Sequence, residues 1–373
     1  MSGNNAVRKA DDRVDVDFSL AIHNRTGKYF IGRDLLGIAG LPVGDVYYWH
    51  LARSSPPGGL AGRIIGRLQH WQIMEQTNGG PLEWLPRRRP RRPLLHLDPF
   101  TVPTTHLRRR DAVLCHDIGP VSHPALFDAD VGRIYAKIYT LCEAIGPHMI
   151  FVSEATRNAY LSRYPATDPS RTRVVYPAIR PSITAVEPVA LLQIVGRFLL
   201  TVGSIGDRKN QQRCIAAFAL SGLAECGFSY VICGGKEPGF DRVELAARAT
   251  PGVVLLPYVS DAALSWLYRN ADGFVLASLL EGFGMPVAEA ISKGLVPLVS
   301  ANSVLSEVAG DGAVAADPSD EASIASGMIA LATMGAEERS ARLVLGQQSI
   351  LRFSPDAIAA AWRTAFDNIL EKQ

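Results

Sequence analysis

Two carboxylates, Glu281 and Glu289, lie in the run Glu281-Gly-Phe-Gly-Met-Pro-Val-Ala-Glu289, and a cationic pair, Arg208-Lys209, lies upstream in Gly203-Ser-Ile-Gly-Asp-Arg-Lys-Asn210. Arginine and lysine neutralise phosphate, and glycines let backbone approach it closely. A helix starting at Pro286 would add N–H groups that favour anions. Carboxylates accept hydrogen bonds from hydroxyls. Together these groups suit a ligand carrying both phosphates and hydroxyls, such as a nucleotide sugar. A plainer reading also covers the stretch: a glutamate in the first turns of a helix complements its dipole, and glycines permit a tight turn. His116, in His116-Asp117-Ile-Gly-Pro120, is a third candidate because it directly follows an apolar run, although a lone histidine is more often structural.

The elements that must hold these residues alternate between short apolar runs and amphipathic stretches. In the first half, strands are expected at 17–22, 45–49, 94–97, 111–115, 149–152 and 173–176, with helices after Gly27, at 131–146 and at 153–160. Residues 54–93 are the least regular part, with an amphipathic piece around Arg63–Met74 and a proline-interrupted basic run, Arg87-Arg-Arg-Pro-Arg-Arg92, that reads as a loop. Pro181 and Pro188 punctuate a linker. The second half restarts the alternation with strands at 197–202, 230–233, 253–256, 273–277 and 296–299. Its helices are expected at 211–221, 262–270, from Pro286 to Gly294, at 303–309, 321–333 and 336–351, and at 355–370. Ile358, Trp362, Phe366 and Ile369 fall at helical spacing in the last. Ligands in open α/β sheets bind at the carboxyl ends of the strands, where Arg208, Glu281 and His116 all fall. Neither G-x-G-x-x-G nor G-x-x-x-x-G-K-[ST] occurs.

At 373 residues two domains are expected, and 47% hydrophobic with 20% charged residues fits a folded α/β enzyme rather than a disordered chain. No apolar run reaches the ~20 residues needed to span a bilayer, and the polar start of the chain shows no secretory signal. The five cysteines, without C-x-x-C or metal-ligand spacing, are expected as buried reduced thiols of a cytoplasmic protein. The net charge of +2 hides a split: residues 1–180 carry 24 Lys+Arg and 16 Asp+Glu (24 − 16 = +8), the remainder 14 and 20 (14 − 20 = −6). The first half is therefore suited to an anionic partner. The basic run beside the amphipathic piece is a candidate anionic-membrane site through Arg87–Arg92, against the alternative of a solvated loop.

The E-G-F-G-M-P-V-A-E-A segment resembles the signature of the retaining glycosyltransferases of family four, which have the GT-B fold of two Rossmann-like doubly wound domains facing across a cleft. Thr201–Asn210 resembles that family's V-G-x-x-x-x-R-K-N segment. Leu256–Leu264 is similar to its x-G-x-V-S-D-x-x-L, with Pro257 in place of Gly, and Ser303–Gly310 and Asp317-Pro318 also fit. The first half matches more thinly, through Asn24-Arg-Thr-Gly27, Cys115–Pro124, Phe151–Arg157 and Val175–Ile179. Residues 54–110 have no counterpart. The resemblance implies an acceptor-binding domain over 1–182, a nucleotide-sugar domain over 183–355 and a C-terminal helix, 356–373, packing back on the first.

By motif position, the resemblance implies that Arg208 and Lys209 bind the donor diphosphate within a loop containing Gly203, Ser204 and Gly206. Glu281 would bind the sugar and Glu289 the ribose, with Gly282, Phe283, Gly284, Met285 and Pro286 completing the cradle. Ser260 would edge the nucleobase, His116 would reach the sugar from the first domain, and Gly27 and Asp117 would line the acceptor side. No metal or other cofactor is expected. Lys209→Ala is expected to remove most transfer while leaving folding near normal. Similarity to enzymes of bacterial exopolysaccharide and O-antigen assembly makes GDP-mannose the first-choice donor and a polyprenyl-diphosphate-linked oligosaccharide the acceptor, at the inner face of the plasma membrane. A UDP-sugar donor, a sugar-nucleotide epimerase sharing the fold, and a basic RNA- or membrane-binding protein without catalysis are the alternatives; no nucleic-acid partner is expected.

Overall fold

The computed structural model describes residues 12–23, 27–80, 84, 86–179, 189–190, 194 and 196–371. The chain divides into two units, Met1–Ala178 with Pro355–Gln373, and Ile179–Ser354. The polar N-terminal stretch to residue 11, the Asn24-Arg-Thr part of the first loop, and Pro181 and Pro188 of the linker lie outside the described residues.

Unit 1 is a seven-stranded sheet in the order β3-β2-β1-β4-β5-β6-β7. The strands are β1 (Val14–Asp17), β2 (Val43–Tyr48), β3 (Leu51–Ala52), β4 (Leu94–His96), β5 (Ala112–Cys115), β6 (His148–Phe151) and β7 (Thr172–Val174). All neighbours are parallel except β2 and β3. Its helices are α1 (Gly27–Leu36), α2 (Gly59–Asn78), α3 (Gly119–Ser122), α4 (Ala129–Ile145) and α5 (Glu154–Arg163). Parallel strands covered on both faces must be apolar throughout; β4 and β5 are buried along their whole length. The first strand differs from the expected 17–22: it runs from Val14 to Asp17, and Ser19–Ile22 turns into a 3-10 helix. Asp17 ends the strand by accepting from the Ser19 amide (3.1 Å), which starts the turn. The irregular region 54–93 also differs, because 20 of its residues form α2.

The basic run is not a free cationic cluster. Arg88 pairs with the buried Asp17 (2.7 Å) and donates to the Trp49 carbonyl, while Arg92 pairs with Asp15 (3.0 Å). Arg108 pairs with Asp111 (2.6 Å) and donates to the Arg92 carbonyl (2.6 Å). The two acids of β1 are thus satisfied from the loop, as buried carboxylates must be. Arg89 and Arg91 remain exposed and Arg87 is half-buried. This corrects the expectation of a membrane site, or an RNA site, built on the whole of Arg87–Arg92.

Unit 2 is a six-stranded parallel sheet in the order β10-β9-β8-β11-β12-β13. Its strands are β8 (Arg197–Val202), β9 (Phe228–Cys233), β10 (Val253–Leu256), β11 (Gly273–Leu276), β12 (Pro297–Ser300) and β13 (Val314–Ala316). Its helices are α6 (Gln211–Leu220), α7 (Phe240–Ala249), α8 (Asp261–Asn270), α9 (Met285–Ser292), α10 (Val304–Ala309), α11 (Glu321–Thr333) and α12 (Ala336–Ile350). Helix α7 and strand β13 were not expected from the sequence; α7 exposes Leu245 and buries only Phe240, Val243 and Ala247. Leu199, Tyr230, Ile232, Phe218, Val275 and Leu298 belong to one core under the helices. Helix α13 (Pro355–Leu370) belongs to unit 1, packs on β1, and buries Ile358, Trp362, Phe366 and Ile369. Four of the five cysteines are buried and reduced; Cys226 is exposed, contrary to expectation. Among the described residues no helix is long and apolar enough to cross a membrane.

Candidate functional site

In unit 2 the chain winds outward from β8 to β9 and β10, then returns to β11 on the other side of β8. The loops leaving β8 and β11 therefore part at the carboxyl ends of adjacent strands, where a doubly wound sheet opens a crevice. The β8 loop carries Arg208 and Lys209 and the β11 loop carries Glu281. A hydrogen bond from the Leu279 amide to the Arg208 carbonyl (3.0 Å) joins them.

The geometry brings the cations directly onto the first carboxylate. Lys209 Nζ donates to Glu281 Oε1, and Arg208 Nη1 lies 3.4 Å from Oε2. The Ser278 hydroxyl donates to Glu281 Oε1 (2.9 Å). Arg208 also reaches the Leu280 carbonyl (3.2 Å) and, through Nη2, Glu237 Oε1 (3.2 Å). Both Lys209 and Glu281 side chains are only 7% exposed. Burial pushes the Glu281 carboxyl upward, but the Lys209 ammonium, the Arg208 guanidinium and their hydrogen bonds together hold it below the usual carboxylate range. Two cations face two carboxylates, so an anion that took the cations would have to displace Glu281 and Glu237. The pairing also corrects the expectation that Lys209→Ala leaves folding near normal, since it would strand a buried carboxylate.

Backbone and two unanticipated side chains fix the loop. Asn210, in the left-handed conformation (φ 60°), donates through Nδ2 to the carbonyls of Ala277 (2.9 Å) and Pro318 (2.8 Å). Gln211 accepts from the Gly206 amide (3.1 Å) and donates to the Ser204 carbonyl (2.8 Å). Gly203 donates its amide to the Cys233 carbonyl (3.0 Å), and at Gly234 (φ 152°) a Cβ would sit 1.8 Å from the Gly203 carbonyl oxygen. That approach lets the loops after β8 and β9 touch, and it needs glycine. Gly284 (φ 94°) caps α9, and a Cβ there would meet Leu305 Cδ2 at 2.3 Å. Met285 and Pro286 open the helix, directing the positive end of its dipole towards the β11 loop. Gly282 and Phe283 form the bend between Glu281 and that helix start, with Phe283 buried against Phe353 (ring centroids 4.9 Å apart).

Glu289 does not join the Glu281 cluster. It is 4% exposed, on the second turn of α9, and accepts from the Tyr268 hydroxyl of α8 (3.3 Å). Ser260 caps α8, its hydroxyl oxygen accepting from the Ala263 amide (3.2 Å). Glu237, Asn210, Gln211 and Ser278 escaped the sequence reading. Asn210 and Gln211 continue the Arg208-Lys209 segment and Ser278 lies three residues before Glu281, so adjacency was an available signal; for Glu237 only its place in a strand-end loop was.

Unit 1 has the same kind of switch point, between β1 and β4. His116 follows β5, is 6% exposed, and donates from Nε2 to the Leu97 carbonyl (2.7 Å), which leaves Nδ1 as the acceptor nitrogen. Burial, then the nearby Lys28 ammonium, lowers its pKa to about 4, so the ring is neutral at pH 7. Asp117 accepts from the Gly119 amide (2.9 Å), and its carbonyl accepts from Tyr139 (2.8 Å). Gly27 is exposed at the start of α1, and among the described residues a Cβ there would meet nothing within 4 Å. Beside it lies a cluster the sequence did not reveal. Lys28 Nζ pairs with Asp98 Oδ2 (3.0 Å), and the Tyr135 hydroxyl donates to Oδ1 (3.1 Å). Asp98 is held ionised below its usual range despite burial, chiefly by Lys28. A cation, a carboxylate and a neutral imidazole acceptor at a strand-end crevice suit a polar, hydroxylated or anionic ligand.

Residues 195–344 match the family model of glycosyl transferases group 1. The chain is similar to O-antigen chain mannosyltransferase B of Escherichia coli, 38% identical over 129 residues, covering 33% of each chain. It is also similar to O-antigen chain mannosyltransferase RfbU of Salmonella typhimurium, 26% identical over 230 residues, covering 59% of this chain and 61% of that one. The matches thus span between a third and about three-fifths of these relatives' lengths. In fold it resembles sucrose-phosphate synthase from Thermosynechococcus elongatus, with a TM-score of 0.68 and 16% identity over 95% of this chain and 98% of that one. The resemblance to glycosyl transferases is thus supported over residues 195–344, and the two doubly wound α/β units share the GT-B fold of that solved structure.

Proposed function

We propose that the chain is a retaining glycosyltransferase that moves a sugar, mannose from GDP-mannose in the first instance, onto a glycan acceptor. The observation that carries the reading is the Arg208–Lys209–Glu281 cluster at the carboxyl ends of β8 and β11. The group 1 match over residues 195–344 and the likeness to the two O-antigen chain mannosyltransferases support it. On donor binding, the diphosphate takes Arg208 and Lys209 from the carboxylates, and Glu281 turns to the sugar hydroxyls. The same cations then stabilise the charge that grows on the leaving diphosphate as the C1–O bond breaks, which is the largest lever in such chemistry. The acceptor oxygen bonds to C1 on the same face, and its proton passes to the leaving phosphate oxygen. Glu289 holds the ribose and Ser260 edges the base, while His116 in unit 1 offers Nδ1 as an acceptor to a hydroxylated ligand. Transfer needs no added metal, because the two cations supply the positive charge.

The acceptor in this reading is a polyprenyl-diphosphate-linked oligosaccharide of exopolysaccharide or O-antigen assembly, handled at the cytoplasmic face of a membrane. The test is a panel of GDP-, UDP- and ADP-sugars. The true donor raises the melting temperature, since a ligand bound only to the folded state must stabilise it. With a lipid-linked acceptor it yields a product of unchanged anomeric configuration in the presence of chelator. Donor turnover without any acceptor would overturn transfer in favour of epimerisation.

A further inference from the structure

Helix α2 is amphipathic the wrong way round. The side it turns into unit 1 is mostly small and polar: Gly62, Gly66, Gln69, Gln72 and Thr77 are buried there, with Ile73 buried and Met74 partly buried against the core. The Gln72 amide is committed inward, accepting from Trp49 Nε1 (2.6 Å) and donating to the Pro86 carbonyl (3.3 Å), and Gln69 meets His23 (3.2 Å). The opposite side carries Leu60, Ile64, Leu68 and Trp71, exposed by 67%, 50%, 41% and 44%. At 3.6 residues per turn these four fall within about 80° of the helix circumference, so they form one ridge. Folding alone would reverse this arrangement, because an apolar stripe is normally buried and a polar one solvated. A conflict of that kind marks a functional surface.

We propose that α2 is an interfacial membrane-binding helix that lays the Leu60–Ile64–Leu68–Trp71 ridge into an anionic lipid surface. Charge selects this occupant. Arg63 and Arg67 border the ridge and are exposed, as are Arg53, Arg89 and Arg91. Between His50 and Arg92 the sequence holds eight arginines and two glutamates; with Arg88 and Arg92 neutralised by β1, six cations remain against two anions (6 − 2 = +4). Apolar residues flanked by cations, with a tryptophan among them, are what a headgroup boundary takes up. A second copy of the chain fits less well, since a two-fold contact sets a patch against itself and would bring these arginines together. An open apolar recess of about 230 Å³, lined by Trp49, His50, Leu68, Trp71, Gln72 and Pro86, adjoins the ridge and offers space for acyl carbons. The proposal moves the membrane contact from the basic loop, two of whose arginines are tied to β1, to the helix beside it. It goes beyond the donor reading and does not depend on it.

The test uses the full chain with vesicles of phosphatidylcholine alone or mixed with phosphatidylglycerol, without nucleotide or acceptor. Binding is expected to the mixed vesicles and to be weak on the neutral ones, with a blue shift of emission that Trp71→Phe abolishes. The variant Leu60→Gln/Ile64→Gln/Leu68→Gln/Trp71→Gln should reduce partitioning by roughly tenfold or more, with an unchanged melting temperature because all four side chains are exposed. Arg63→Gln and Arg67→Gln should each weaken binding about fivefold, the equivalent of ~1 kcal/mol per cation at an anionic surface. Should the quadruple variant fold poorly, Leu60→Gln/Ile64→Gln carries the same test. Undiminished vesicle binding by the ridge variants, equal binding to neutral vesicles, or a solution dimer that the ridge variants dissociate would each overturn the proposal. Nucleotide-sugar stabilisation of the ridge variants, measured in parallel, keeps the donor site's success or failure separate.

Discussion

Replacing Lys209 with methionine removes the charge while keeping most of the volume, and it separates two consequences of the cluster. Glu281 would remain buried with Arg208 3.4 Å away and the Ser278 hydroxyl at 2.9 Å, but without its closest cation. Breaking a buried pair from one side costs about 3–5 kcal/mol. The two remaining partners reduce this to about 2–4 kcal/mol. At about 2–4 °C per kcal/mol for a domain of this size, the melting temperature should fall by about 5–15 °C at pH 7. The pH dependence gives the sign. In the wild type the carboxyl is held below its ordinary 4.5, so its contribution is present above that pH and is lost as pH falls through the folded-state value. Without Lys209 the burial that pushes the carboxyl upward dominates. The gap between variant and wild type should therefore be widest near neutrality and begin to narrow above pH 4.5, as the variant's raised carboxyl takes up its proton, closing further as the wild-type pair is lost at lower pH. Lys209→Met/Glu281→Gln should recover part of the loss, because no buried charge is stranded. Calorimetric scans from pH 4 to 8 on the three proteins read all of this. A Lys209→Met protein that melts with the wild type at pH 7, or a gap independent of pH, would refute the account of a buried, mutually dependent pair.

Glu237→Gln should tighten nucleoside-diphosphate binding by up to about fivefold, because a part-exposed pair contributes ~0.2–1 kcal/mol that the ligand must otherwise overcome; titration calorimetry showing weaker binding would count against the exchange of carboxylate for phosphate. His116, lowered to about 4 from 6.5, must stay neutral when folded. It costs stability progressively as pH falls from 6.5 towards 4, up to about 3 kcal/mol, and His116→Asn should flatten that part of the stability curve in denaturant titrations at several pH values. Gly27→Ala should leave the melting temperature unchanged or slightly raised, since no described residue lies within 4 Å of the methyl, while reducing transfer in the acceptor assay; unaltered kinetics would remove Gly27 from the site. Trp362→Ala, emptying a fully buried position on α13, should cost about 3–5 kcal/mol and be read as an earlier thermal transition.

Local rules already fixed much of this chain. The apolar runs of β8 and β10 and the periodic stretches of α11 and α13 announce themselves because burial imposes a period of 2 or 3.6, or an unbroken run, directly on neighbouring residues. The residues Arg208, Lys209, Glu281 and Glu289 were likewise visible as candidates, since their side chains are of types suited to phosphates and hydroxyls. Tertiary structure decided everything that depends on which strands lie side by side. Only the β8–β11 adjacency sets Lys209 against Glu281, and only the interior of unit 2 turns Glu289 to Tyr268 instead. Lys28 and Asp98, seventy residues apart, meet because β1 and β4 pair. The basic run looked like surface until Asp15 and Asp17 of β1 took two of its arginines inward. Helix α2 is the sharpest case. Its amphipathic pattern was legible, but pattern alone assigns the apolar face to the core, and the fold turned that face outward because Trp49, His23 and Pro86 offered the glutamines their partners within.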